Sequence, residues 1–465
     1  MIEGDFAAPS AGALADEVAA VLADRRDPGV ETFERVLNAV VAHSYRDREA
    51  LTAALGSVPR EFAVRPDEQV ACVAGIVGAA VGPVGAEESW ESAGAAWLEL
   101  CQHVALDYVA GARLVELHAR LRAGDPVPFL LSVPSRSTGA VEPHDLVERL
   151  AEYGRLGVRP GPADLGQALL RCGGRVDAEA VRAAERLELE EAPRVAAWLR
   201  QGGLPAPAWW RERESGEPER PSRRRGARIG RRILVGHEAI EGRGAFPRRF
   251  WSLFRKFEPG IGCSHWTLPD SRNAHTVATL PWHPDIAAAR LMTGVAAVAD
   301  QAGRSSPAFF EALAAADGPA GHAVHLAVAY GLGSVLERDR EAAVRALVLL
   351  GARGRLDGEL LGRELTELVG LGTLKVPLVT ESLRAAAAAP QGAAAVWAVL
   401  AAALPGLLAC TRPQAHGALL AIAADSARLS GARGELPEVS ALARRPGSSQ
   451  LLKQARRLRD TLAGC

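Results

Sequence analysis

Lysine is nearly missing from this chain: of 54 basic residues only Lys256, Lys375 and Lys453 are not arginine. An arginine excess beside abundant alanine and glycine is the mark of a GC-rich coding bias, such as an actinobacterium's, so arginine counts alone carry no inference. A dominant charge is also lacking. The 54 basic and 55 acidic residues leave a formal charge of −1, which excludes a wholesale polyanion binder and an acidic solvating chain. Cysteine is sparse. Cys72, Cys101, Cys172, Cys263, Cys410 and Cys465 lie far apart with no CxxC pair, against both a disulfide framework and a zinc ribbon. They read as small hydrophobes. No Walker-type phosphate loop or dinucleotide fingerprint occurs, and Gly331-Leu-Gly-Ser-Val335 lacks the final glycine of a hydrolase elbow and lies inside a helical pattern. Residues 1–10 carry Glu3 and Asp5 but no basic residue, and no apolar signal core follows. The expectation is a cytoplasmic protein without catalytic residues, cofactor or metal. Residues 385–411 run without a charge, but Pro390 and Pro405 interrupt them, so the reading is two helices buried in a stack rather than a membrane span.

What is present is helix. Leu14, Val18 and Leu22 form one apolar stripe, and Phe33, Val36, Leu37 and Val40 the next. This first part is acidic, with 7 Arg against 18 Asp plus Glu over residues 1–110. Residues 125–135 contain three prolines and read as an extended apolar segment. Short helices resume at 144–153, 163–171 and 192–201, each opened by Pro or Asp and closed by Gly. From Pro205 to Arg228 the composition turns to Pro, Arg, Glu and Ser, a linker pattern. Arg232-Ile-Leu-Val235 looks like a short strand. Beyond about Pro284, apolar helices begin near Ala320, Arg340, Leu356, Pro377, Ala393 and Pro413. One helix pair thus takes about 40 residues, the period of HEAT or armadillo units. Leu347, Leu361, Leu365, Leu368, Leu383 and Leu419 are the expected inward-facing core positions.

Three groups of residues invite a chemical reading. His237-Glu-Ala-Ile-Glu241 resembles a zincin core, but its second histidine is replaced by Glu241 and Gly242 breaks the helix, so a surface segment is preferred. Cys263, His265, His275 and His283 are zinc-ligand types in a spacing that matches no finger or ribbon. Packing around Trp266 and Trp282 is the preferred reading. Third, residues 220–256 hold 12 Arg plus Lys against Glu238 and Glu241, interleaved with aromatics. The candidate interaction surface is Arg223, Arg224, Arg225, Arg228, Arg231, Arg232, Arg248 and Arg249 with Trp251. Such a stretch can neutralise phosphates and stack on bases. Neutralisation by the acidic N-terminal part, or contact with a protein, is preferred.

Two stretches carry a resemblance. Pro128-Phe-Leu-Leu-Ser-Val-Pro-Ser-Arg-Ser-Thr-Gly-Ala-Val-Glu-Pro-His-Asp-Leu-Val-Glu-Arg-Leu150, with Asp164-Leu-Gly-Gln-Ala-Leu-Leu170 and Ala197-Trp-Leu-Arg-Gln-Gly-Gly-Leu-Pro205, resembles the central part of a family of large actinobacterial proteins of unknown function. That family shows an LL-x-TP stretch, a G-x-(I/L/V)-(D/E)-P turn, a V-x-R-L helix and a D-L-x-Q-A-L-L-R helix. Leu280-Pro-Trp-His-Pro-Asp-Ile-Ala-Ala-Ala-Arg-Leu291 is similar to the motif that opens the family's C-terminal helical array. The resemblance implies longer proteins with helical repeats upstream, no catalytic residues, and a protein partner such as an AAA-type ATPase or a SWIM zinc-finger protein.

The expected fold is all-α, a helical module followed by a HEAT-like α-solenoid array. Its parts are an acidic helical region (1–124), the central module (125–205), a basic Pro/Arg-rich linker (206–256) and the array (257–465). The expected function is a non-enzymatic scaffold or adaptor, with a nucleic-acid-associated protein as the alternative and an enzyme of unrecognised type third. No membrane partner is expected.

Overall fold

The structure is a computed structural model, and it describes residues 6–24, 26–56, 58, 68–82, 104–214, 231–260, 270–301, 305, 307–409 and 416–464. Among these the protein is all-α apart from one two-stranded hairpin.

The first helices are α1 (Ala11–Asp24), α2 (Gly29–Arg46), α3 (Arg48–Leu55), α4 (Glu68–Val81) and α5 (Ala105–Ala123). The apolar stripes read from sequence face inward: Leu14, Val18, Val36, Leu37 and Val40 are each fully buried. Next come α6 (Pro143–Leu156), α7 (Pro162–Arg171), α8 (Ala178–Glu185) and α9 (Ala192–Gln201). Proline occupies the first turn of α6, α7 and α9, where its missing N–H costs nothing. Asp177 caps α8 by accepting from the Glu179 and Ala180 amides.

The C-terminal part runs through α10 (Asp270–Thr279), α11 (Pro284–Ala296), α12 (Pro307–Ala315), α13 (His322–Leu332), α14 (Glu337–Ala352), α15 (Gly358–Gly370), α16 (Val376–Ala388), α17 (Gly392–Ala409), α18 (His416–Ser430), α19 (Pro437–Ala443) and α20 (Gln450–Ala463). From α13 to α18 the starts fall within three residues of those expected. The helices alternate between two layers. The even-numbered ones pack in succession, α10 on α12, then α14, α16, α18 and α20, and the odd-numbered ones do the same from α11 to α19. Small residues allow close approach between α15 and α17: a Cβ on Gly362 would meet the Val399 carbonyl oxygen at 2.6 Å.

One helix among the described residues, α17, is long and apolar enough to cross a membrane. It packs against α14, α15, α16 and α18, and eight of its residues are buried, Val396, Val399, Leu400, Ala403, Leu404 and Leu407 among them. The uncharged run divides between the end of α16 and α17, two helices in a stack.

The segment expected as a linker requires correction. Residues 209–214 form β1 (Trp209–Glu214), paired antiparallel with β2 (Arg232–His237) in a register from Trp209 opposite His237 to Glu214 opposite Arg232. Every residue of β2 is buried. The Tyr330 hydroxyl of α13 accepts from the Ile233 amide at 2.8 Å and donates to the Ile233 carbonyl, closing the open edge of β2. On the outer strand, Arg211 Nη2 reaches Glu364 and Glu367 of α15 at 2.6 and 2.8 Å. Arg211 and Arg213, two of the charges in the expected linker, are thus partnered more than 150 residues away. The described residues just beyond are no linker either, since Phe246, Phe250, Leu253, Phe254 and Phe257 are all buried. They wedge between Trp198 of α9 on one side and Arg290 of α11 on the other. The stretch 215–230 lies outside the described residues.

All six leucines named as core positions are 0–1% exposed. Leu361→Ala and Leu365→Ala, at the facing surface of α15, are each expected to cost about 2–5 kcal/mol, measured by urea denaturation of the full chain. Losses below the error of the measurement at both sites would show that the α15–α17 contact is not packed as described.

Candidate functional site

A polar cluster gathers around residues 129–133, which lie in no helix or strand; the extended segment expected there is corrected, because the chain turns at Leu131 and Ser132 and the Val133 amide donates to the Leu130 carbonyl. A buried backbone without a ladder must find its hydrogen bonds elsewhere. Here side chains supply them. Asn38 of α2 accepts from the Leu130 amide at 2.9 Å. Asp164 of α7 accepts from the amides of Leu131 (2.7 Å) and Ser132 (3.3 Å) and from the Ser132 hydroxyl. Arg149 of α6 donates to the Leu131 carbonyl at 3.1 Å, Tyr153 donates to that of Phe129, and Arg171 donates to that of Ser132 at 2.7 Å.

An ion cluster sits beneath this strip. Glu34 of α2 receives Arg113 of α5 in a two-pronged pair (2.7 and 2.8 Å) and Arg171 at 2.6 Å, all three side chains being nearly inaccessible. Burial alone would raise the Glu34 carboxyl, but the two guanidiniums outweigh it by charge and hydrogen bonds and hold it well below the usual carboxylate range. Asp164 moves the other way, because its desolvation exceeds the help from Ser132 and Arg113. Glu116 of α5 caps α7 by accepting from Ala163 (2.8 Å) and Asp164 (3.0 Å).

The cluster reaches into the C-terminal part. Gln167 donates to the Thr279 carbonyl at 2.9 Å, Arg171 Nε to that of Ala278 at 3.2 Å, and Trp282 Nε1 to that of Arg171 at 3.1 Å. Gly139 has φ +95°, and a Cβ there would lie 2.4 Å from the Ala278 oxygen, so this turn position admits only glycine. Arg136 pairs with Asp317 at 2.8 Å, a carboxylate that also accepts from the Thr138 hydroxyl. Asp285 accepts from the amides of Gly321, Ala323 and Val324 and caps α13. The polar residues of the quoted motifs, Arg149, Asp164, Gln167, Arg171 and Asp285, are thus engaged with backbone. The arrangement holds helices in place.

Of the four metal-ligand candidates, only His275 and His283 lie among the described residues. Cys263 and His265 lie outside the described residues, as does Trp266. His275 Nε2 lies 2.8 Å from Asp27 and its ring meets Phe33 edge-on at 5.1 Å, while desolvation pushes the His283 imidazole down to about 4. No group of three or more metal-ligating side chains occurs among the described residues. The surface reading of 237–241 is corrected at its first position. His237 ends β2, exchanges backbone hydrogen bonds with Phe257, and is fully buried between Trp209 and Phe257. Desolvation, with Arg290 nearby, pushes it down to about 4.

The basic stretch divides. Arg223, Arg224, Arg225 and Arg228 lie outside the described residues. Arg232 is removed from the candidate surface: it is 1% exposed and its Nη2 pairs with Asp300 at 3.0 Å. Arg231, Arg248 and Arg249 are exposed, and Trp251 is half-buried. Sequence reasoning passed over Arg243 and Arg255, which are also exposed. Arg243 stands over the Trp251 ring at 5.2 Å and Arg248 at 5.8 Å.

These features define a mostly helical protein whose central module is organised around buried charge. Residues 92–200 match the family model DUF7824, described as a domain of unknown function. The match overlaps the central stretch whose motifs carry the resemblance to an uncharacterised family. No curated protein matches the chain.

Two measurements check the cluster. Glu34→Gln leaves two buried guanidiniums short of their counter-charge and is expected to cost about 3–5 kcal/mol in urea unfolding. A loss under about 1 kcal/mol would mean that the ions are hydrated. Asp107 of α5, next to Thr276, gives a pH effect. Burial pushes its carboxyl up to about 7, although the Thr276 hydroxyl opposes the shift. The folded state then holds a proton that the unfolded chain releases near pH 4, so this residue's contribution to stability falls as pH rises from about 4 to 7. Asp107→Asn should remove that slope, read as the difference between the variant and parent unfolding free energies across this window. Parallel curves would refute the assignment.

Proposed function

We propose that the chain is a non-enzymatic, HEAT-like scaffold or adaptor, which uses the surface of its stacked helices to hold a protein partner. The observation that carries this reading is the two-layer succession from α10 to α20, in which each helix packs on the one two places away. Helices stacked in this way bury their inner faces only against neighbours and leave an extended outer surface for binding. The engagement of the central polar residues with backbone also favours structure over turnover. The partners to try first are those the family resemblance suggests, an AAA-type ATPase or a SWIM zinc-finger protein, in an actinobacterial cytoplasm.

The test is purification of the tagged full chain from native lysate with nuclease present, followed by reconstitution from purified components. The expected result is a complex of fixed stoichiometry on size exclusion that persists without nucleic acid. A chain that stays alone in reconstitution with each co-purifying protein would overturn the proposal.

A further inference from the structure

Some exposed arginines of this protein meet carboxylates: Arg155 meets Glu152, Arg345 meets Glu311 and Arg363 meets Glu359, at 2.5 to 2.9 Å. Those in the turns at 243–255 are not among them. Arg243, Arg248, Arg249 and Arg255 are exposed, residues 243–256 contain no acidic residue, and none of the four arginines makes an ion pair with a described residue. The expected neutralisation by the acidic N-terminal part does not occur among these residues. The turns are anchored, since Phe246, Phe250, Leu253 and Phe254 are buried beneath them. Arg243 and Arg248 both lie against the half-buried Trp251 ring, at 5.2 and 5.8 Å from its centroid, which ties two exposed guanidiniums to one anchored side chain.

We infer that this arginine surface around Trp251 binds the phosphate backbone of nucleic acid, without sequence preference, as a function beyond the scaffold role. A phosphodiester strand fits better than a protein surface. Protein interfaces have an apolar centre, yet none of the exposed large hydrophobic residues, Tyr45, Val176, Leu349 and Leu429, lies in these turns. Guanidiniums are planar donors, suited to paired phosphate oxygens. With both faces of the contact set by charge, binding must depend steeply on salt.

The experiment is fluorescence anisotropy of the full chain with labelled single-stranded and duplex oligonucleotides. Four neutralised phosphates predict a fall in single-strand affinity of about 50-fold between about 50 and 200 mM salt, and of about 150-fold for duplex. The variant R243E/R248E/R249E/R255E is expected to lose at least about tenfold in affinity, each reversed arginine removing one phosphate contact, while its thermal unfolding stays that of the parent. The comparison variant R223E/R224E/R225E separates this surface from the other arginine block. Three results would overturn the inference: no binding at the lower salt, binding lost only in the comparison variant, or tighter binding of a poly-glutamate peptide than of either oligonucleotide. The last would identify the partner as an acidic protein. The scaffold reading is independent of all three, because its complex is tested with nuclease present.

Discussion

A turn that passes through the interior outside any helix or strand is the constraint on which the rest depends. Residues 129–133 are largely buried, and each unsatisfied amide or carbonyl there would cost about 1–3 kcal/mol. A helix or a paired strand would satisfy them locally. The protein instead draws side chains from three helices, Asn38 from α2, Arg149 and Tyr153 from α6, and Asp164 and Arg171 from α7. These helices are thereby fixed relative to one another by directional bonds, and the apolar contacts around them fill in a geometry already chosen. Charges brought in for this purpose need compensation, which Glu34 provides for Arg113 and Arg171 together. A buried ion cluster of this kind adds little net stability over a hydrophobic replacement, but it penalises misplacement of any member.

Because Arg171 faces both ways, the cluster also sets where the C-terminal helices begin. Its carbonyl receives Trp282 Nε1, and its Nε donates to Ala278. Asp285, three residues after Trp282, caps α13 through three amides. The aromatic wedge of 246–257 makes a second, independent bridge between α9 and α11. Two bridges of different chemistry, one polar and one aromatic, thus join the central module to the C-terminal helices through the described residues.

The sequence made the helices legible because their ends carry local chemistry. Proline in the first turn marks α6, α7 and α9, glycine directly after the last turn marks α6 and α9, and the apolar spacing of α13 to α18 repeats closely enough to locate each start within three residues. The motif was legible as a resemblance, whereas the roles of its letters were not, since Arg149 and Asp164 acquire meaning only when an unpaired strip passes between them. The linker reading failed for a related reason. Composition registers Arg211 and Arg213 as charge, but their partner Glu367 is distant in sequence, and Tyr330 closes the edge of β2 from almost a hundred residues away. The zinc reading counted ligand types, and His275 turned out to serve Asp27.

Arginine is where composition misleads most. Coding bias places it in every role, and burial then sorts the residues. Arg113, Arg171, Arg232 and Arg290 are each no more than 3% exposed and are held by carboxylates, carbonyls or an aromatic face. A lysine would serve poorly at such sites, because a point charge cannot donate to two acceptors in one plane as Arg113 does to Glu34. Arg243, Arg248, Arg249 and Arg255 are the opposite population, exposed and without an ion pair among the described residues. A net charge of −1 therefore sums charges that are spent inside the fold with charges that face solvent. Only the second set produces a field outside the molecule, which is why a chain that is neutral overall can still carry a strongly basic surface.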